Sequence, residues 1–264
     1  MTSQPSPATF PPGTFTPRPG PGSPLRMFAV QAATELRLAL RNGEQALLTL
    51  IIPAVLLVGL GRLDVVPLPE PRIDAVMAGV LALAVMSTAF TGQAIAFGFD
   101  RRYGVIRRLA ATALPRWLLV AGRLAAVLGI VLVQMVVLGA LGAALGWRPN
   151  AAGLAWAAVL VLLGCAAFGA LGLLLGGVLR AEVTLALANA VWFLLLLGGG
   201  ILIPAAQLPG PLSVLATALP SGALADALRA ALIAGTPPGA GHVTVLLAWT
   251  AIGALLAARF VKLR

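Results

Sequence analysis

Apolar residues run through this chain in long blocks, broken at intervals by short clusters of Arg, Pro and polar side chains. Just after residue 24, LRMFAVQAATELRLALRNGEQ sets Leu25, Phe28, Ala29, Ala32, Leu36 and Leu40 at helical spacing, with Gln31, Thr34, Glu35, Arg37 and Arg41 on the other side. The pattern predicts an amphipathic helix lying on a membrane surface with its basic face toward lipid headgroups. The blocks that follow have no polar face. Crossing about 30 Å of hydrocarbon takes roughly 20 apolar helical residues, and spans are predicted near 45–61, 75–97, 118–146, 153–178, 184–203 and 243–259. Between the last two lies a stretch that is apolar but interrupted by Pro209, Pro211 and Pro220, and it carries Asp226 and Arg229. These breaks predict a re-entrant pair of short helices near the outer face, where Asp226 and Arg229, three residues apart, can pair.

The fold class is therefore an all-α integral membrane protein: six transmembrane helices, an N-terminal surface helix, a short cytoplasmic helix between spans two and three, and a re-entrant pair before the last span. Residues 25–264 form one domain. Residues 1–24 hold eight of the 20 prolines and no apolar run of signal-peptide length, which predicts a disordered cytoplasmic tail.

Composition supports this reading. The 264 residues are 60% hydrophobic and 10% charged, with a mean hydropathy of +1.00, whereas soluble domains carry about 25% charged residues. Lipid is thus the main solvent. Six crossings return both termini to one side, and 14 of the 18 basic residues then fall on that side, leaving Arg62, Arg72, Arg148 and Arg229 opposite. Basic residues accumulate in the cytoplasm, so both termini are expected there and the protein in the cell membrane. A basic excess that follows loop parity favours insertion over nucleic-acid binding as the source of the pI near 11.7.

Several chemistries are excluded by what the chain lacks. A phosphate-binding loop needs Lys followed by Ser or Thr, and the single lysine, Lys262, precedes Leu263. His242 and Cys165 each occur once, so neither a metal site nor a disulfide is expected. Ser87, Ser213 and Ser221 have no plausible base. An ion-coupled carrier would show ionisable residues at the membrane midplane or a repeated half, and neither stands out. Polar groups do punctuate the spans: Thr88 and Thr91 in the second, Gln134 in the third, Asn189 in the fifth. They serve either helix-to-helix hydrogen bonds or, at Thr91, Gln134 and Asn189, a substrate path.

The segment FDRRYGVIRRLAATALPRW, Phe99 to Trp117, concentrates five arginines in the loop after the second span. Val105, Ile106 and Leu109 form a small apolar face that could press into a groove of a soluble partner. Alternatively, the loop fixes topology and binds anionic lipid. Its order of Asp100, Gly104, Leu109 and Thr112 resembles the cytoplasmic loop of ABC type-2 permeases, although Arg102 stands where a second acidic residue is common and Ala113 replaces the usual Pro. The run from the Gly-rich fifth span through Pro204, Pro209 and Pro220 to Asp226 and Arg229 is similar to that family's other recognisable region, and the first amphipathic helix to its connecting helix.

The resemblance implies the membrane-spanning subunit of an exporter. Two such protomers, identical or related, would act with a separate ABC ATPase that binds ATP and Mg, and this chain would hold no cofactor of its own. It implies that Asp100, Gly104, Val105, Ile106, Arg108, Leu109 and Thr112 form the coupling helix against that ATPase. A mainly apolar path suggests a hydrophobic or amphipathic, drug-like or lipid-like substrate. A secondary carrier or channel, or a membrane scaffold without an ATPase, is the alternative.

Overall fold

The structure, a computed structural model, describes residues 22–41, 43–63, 70–112 and 114–261. The predicted disordered tail lies almost wholly outside these residues. The described residues are helical throughout, with turns between: α1 (Pro24–Arg41), α2 (Gly43–Arg62), α3 (Arg72–Met86), α4 (Gln93–Arg102), α5 (Val105–Ala110), α6 (Arg116–Ala144), α7 (Leu154–Val178), α8 (Ala181–Gly198), α9 (Gly210–Ala218), α10 (Pro220–Leu232) and α11 (Ala240–Phe260). Proline sets several of the starts. Pro71 and Pro115 immediately precede α3 and α6, while Pro211 and Pro220 occupy first turns, where a missing N–H costs nothing.

Among the described residues, five helices are long and apolar enough to cross a membrane, and α9 with α10 forms a pair bent by 87°. α2 occupies the place of the first predicted span and contains Pro53. The second span is continuous from Arg72 to Arg102: α3 and α4 are joined by one wide π-helical segment, Ser87–Gly92. It is the hub of the domain, with α2 and α10 against α3, α7 against α3, α4 and the π segment, and α8 against α4. Its side chains explain this position. Ala75, Ala78, Ala82, Ala84, Ala89 and Ala94 are small and buried, and helices in lipid associate through close backbone approach. Gly176 of α7 shows how close: a Cβ there would lie 2.3 Å from the Ala94 carbonyl oxygen.

Three expectations need correction. The third span ends at Ala144 rather than 146, and the fifth at Gly198 rather than 203. Gly200, at φ +75°, turns the chain after α8 back toward α10, so residues 199–203 are not helical. The third correction concerns α1. Gln31 and Glu35, assigned by pattern to the outer face, are half-buried, whereas Leu25, Val30, Leu38 and Leu40 are exposed. α1 packs along α6, where Gly122 and Gly129 receive Gln31 and Leu36. An inward Glu35 has a physical cause, the buried cation described below. The exposed surfaces of α6, α8 and α11 carry Val136, Leu194, Leu197, Leu255 and similar side chains, as a lipid-facing surface requires.

Candidate functional site

The basic loop begins where α4 ends. Gly104 adopts φ +71°, a conformation that favours glycine, and this turn separates α4 from the six-residue α5. Most of the arginines around it are committed within the chain. Arg101 donates from Nη1 to the carbonyl oxygens of Gly176 at 2.9 Å and Leu179 at 3.4 Å, tying α4 to the last turn of α7. A cation is favoured there because the last carbonyls of a helix lack partners and the dipole is negative. Arg102 pairs with Glu182 in the first turn of α8, with both side chains more than half exposed. Arg108 donates to the Tyr103 carbonyl oxygen at 3.0 Å. Among the described residues Arg107 has no ionic or hydrogen-bond partner.

Asp100 holds a stronger anchor. It forms an ion pair with Arg123 of α6, and Glu35 of α1 lies 3.5 Å from the same guanidinium nitrogen. Arg123 is 9% exposed and its guanidinium carbon stands 5.2 Å from the centroid of the Phe97 ring. One buried cation therefore joins α1, α4 and α6. The pattern reading put Glu35 on the outer face and Arg123 among the cytoplasmic basic residues, and gave neither a role here. The signal that marks them is a lone arginine within an apolar span, which is costly unless a carboxylate meets it.

Of the apolar residues of α5, Ile106 turns inward. Ile106 is 6% exposed and packs with Phe97 and Leu173, with Val120, Leu124 and Val261 around them. Leu109 lines a small cavity beside the same residues, and Val105 lines a separate cleft next to Asp100. Ile106 thus packs on its own domain, while Val105 and Leu109 are half-buried at the edges of these spaces. Thr112 closes the loop locally: its Oγ1 donates to Leu109 O at 2.6 Å and accepts from Leu114 N at 3.3 Å. The face that remains open carries Arg102, Tyr103, Arg107 and Arg108. Beside it, Arg101, Arg107, Arg180, Ile106 and Glu182 line a groove of about 660 Å³ between α5 and the start of α8.

The polar residues inside the spans do not converge. Thr88 Oγ1 donates to Gln134 Oε1 at 2.9 Å, and Gln134 Nε2 donates to Thr49 O at 3.2 Å, linking α2, α6 and the π segment. Trp192 Nε1 donates to Ser87 Oγ at 2.8 Å and fastens α8 to the same segment. Asn189 faces outward and bonds to Leu185 O of its own helix at 2.9 Å. The Thr91 hydroxyl is buried without a partner among the described residues. Toward the other end, Arg229 Nη1 donates to Asp226 Oδ1 at 2.6 Å and to Gly200 O at 3.0 Å, while Nη2 donates to Ile201 O at 2.6 Å. This set of bonds fixes α10 to the turn that ends α8.

Among curated proteins no relative matches this chain. A sequence model of one protein family, described as ABC-2 type transporter, matches residues 28–233, well over half of the chain and every element just described from α1 to α10.

Proposed function

Starting from a chain that belongs to the ABC-2 type transporter family, and so is the membrane-spanning subunit of an ABC transporter, we propose that it exports a hydrophobic or amphipathic substrate using ATP hydrolysed by a separate ATPase subunit. The observation that carries this reading is the mounting of α5. Its inward face is locked to the domain by Ile106, and its root is tied through Arg101 to α7, through Arg102 to α8, and through Asp100 to α6 and α1. A push on the open face is therefore delivered to four other elements at once. A loop that served only to fix topology would need charge but no such connections.

Closure of an ATPase dimer supplies the push. α4 then tilts with α5 as one lever, because only the Gly104 turn separates them, and the π segment offers a hinge where the backbone ladder is already widened. The partner's contribution is a groove lined with carboxylates, matching Arg107, Arg108 and the arginine-lined groove next to α8. The lack of a phosphate-binding loop supports the division of labour. Two protomers, with both termini in the cytoplasm, complete the assembly, and the apolar composition of the spans supports an apolar or amphipathic cargo.

The decisive experiment replaces the open face. Arg107→Glu with Arg108→Glu should leave insertion and helical content intact, yet abolish copurification with a P-loop ATPase and ATP-dependent efflux. Substrate movement by the purified chain alone, driven by an ion gradient without ATP, would overturn the proposal. The substitutions Val105→Asp and Leu109→Asp do not serve as this test, since both side chains line clefts of their own domain.

A further inference from the structure

A second site lies on the inner side of the same loop. α1, α2, α4, α6, the π segment and Val105 at the start of α5 enclose a cleft of about 260 Å³. Its walls are mostly apolar, with Leu38, Val127 and Ile130 among them, and its polar end presents Glu35, Asp100, Arg123 and Gln93. Two carboxylates meet one guanidinium there, which leaves one negative charge in excess. The Asp100 and Glu35 side chains keep 28% and 18% of their exposure, so that charge reaches the cleft. Two donors also stand without acceptors among the described residues: Nη1 of Arg123 and Nε2 of Gln93, on side chains 9% and 4% exposed. A buried donor left unpaired is costly, so an acceptor is required as well.

The cleft thus calls for a cation beside the carboxylates, acceptor oxygens beside Arg123 and Gln93, and alkyl groups along its walls. We propose that it holds the headgroup of an ethanolamine phospholipid from the leaflet on the loop side. The ammonium sits on Asp100 and Glu35, and the phosphate lies at the polar end beside Arg123 and Gln93, whose unpaired donors turn toward it on binding. A primary ammonium can donate three hydrogen bonds to the carboxylates, which a trimethylated choline cannot. A headgroup bearing only negative charge would meet the excess carboxylate. Leu38 and Leu40, both lining the cleft and 60% and 48% exposed, form an apolar lip from which acyl chains continue into the bilayer. The site is complete within one chain and stands whether or not an ATPase docks on α5.

The purified full chain would be exchanged into nanodiscs or micelles holding equal fractions of dioleoyl phosphatidylethanolamine, phosphatidylcholine and phosphatidylglycerol, and the retained lipid counted by native mass spectrometry. Retention of the ethanolamine lipid should exceed that of the other two by roughly tenfold, the effect of about one charge-assisted contact. Glu35→Gln should remove most of this preference, whereas Gln93→Leu should lower retention of all three lipids, since each carries the phosphate. Ala96→Leu narrows the cleft without touching its ion pairs and should remove the preference with circular dichroism unchanged. Equal retention of all three lipids, a preference for the glycerol lipid, or an ethanolamine preference that survives Ala96→Leu would overturn the assignment. Displacement of the lipid by soluble glycerophosphoethanolamine at equal concentration would overturn the lipid as the source.

Discussion

Replacing Arg123 by Met keeps an unbranched stem, though a shorter one, and removes the one cation shared by Asp100 and Glu35. Both carboxylates lie on the same guanidinium nitrogen, so they are within roughly 6 Å of each other, and at an effective dielectric near 20 their mutual repulsion is about 3 kcal/mol. Breaking a buried pair by deleting one partner costs about 3–5 kcal/mol. Both carboxylates retain some solvent, which places the expected loss at the lower end, about 3 kcal/mol. Unfolding in mixed detergent micelles, followed by circular dichroism against increasing SDS, reads the change. The reasoning makes a second, sharper demand. If uncompensated charge is the cause, adding Asp100→Asn and Glu35→Gln to Arg123→Met should recover most of the stability, although each alone in the parent chain is destabilising. A loss below about 0.5 kcal/mol for Arg123→Met, or a triple variant less stable than the single one, would refute the account.

Other substitutions test other contacts. Gly176→Ala forces a methyl against the Ala94 carbonyl and should cost about 1–3 kcal/mol, while Gly198→Ala, with open space around it, should be neutral in the same unfolding assay. Gln134→Leu leaves the buried Thr88 hydroxyl without its acceptor and should cost about 1–3 kcal/mol; Asn189→Leu, on an exposed helix face, should leave stability unchanged. For topology, single cysteines at Gly22 and Ala234 in a Cys165→Ala background should label from opposite sides of the membrane with an impermeant maleimide. Labelling from one side would mean that α9 and α10 cross instead of returning.

Much of the architecture follows from one-dimensional rules. Span positions are set by where apolar residues run for about 20 positions, because the bilayer fixes that length independently of any neighbour. The bent pair before the last helix follows from Pro209, Pro211 and Pro220, since proline disfavours continuing a helix but is tolerated in the first turn of the next. The pairing of Asp226 with Arg229 is equally local, a spacing of three on one helix. Direction is not local in this sense. The α5 pattern of Val105, Ile106 and Leu109 states that one face is apolar, but whether that face meets the chain's own domain or another protein depends on where α4 aims it. Only the packed structure, with Phe97 and Leu173 beside Ile106, decides this. Glu35 reverses its expected side for a related reason: an amphipathic pattern scores each residue against water or lipid, whereas this carboxylate is drawn inward by a cation 88 positions away in the chain. Lipid rewards apolar length wherever it lies, so spans are legible from sequence. Buried charge is tolerated only beside its partner, so the Glu35, Asp100 and Arg123 cluster exists only once three helices have met.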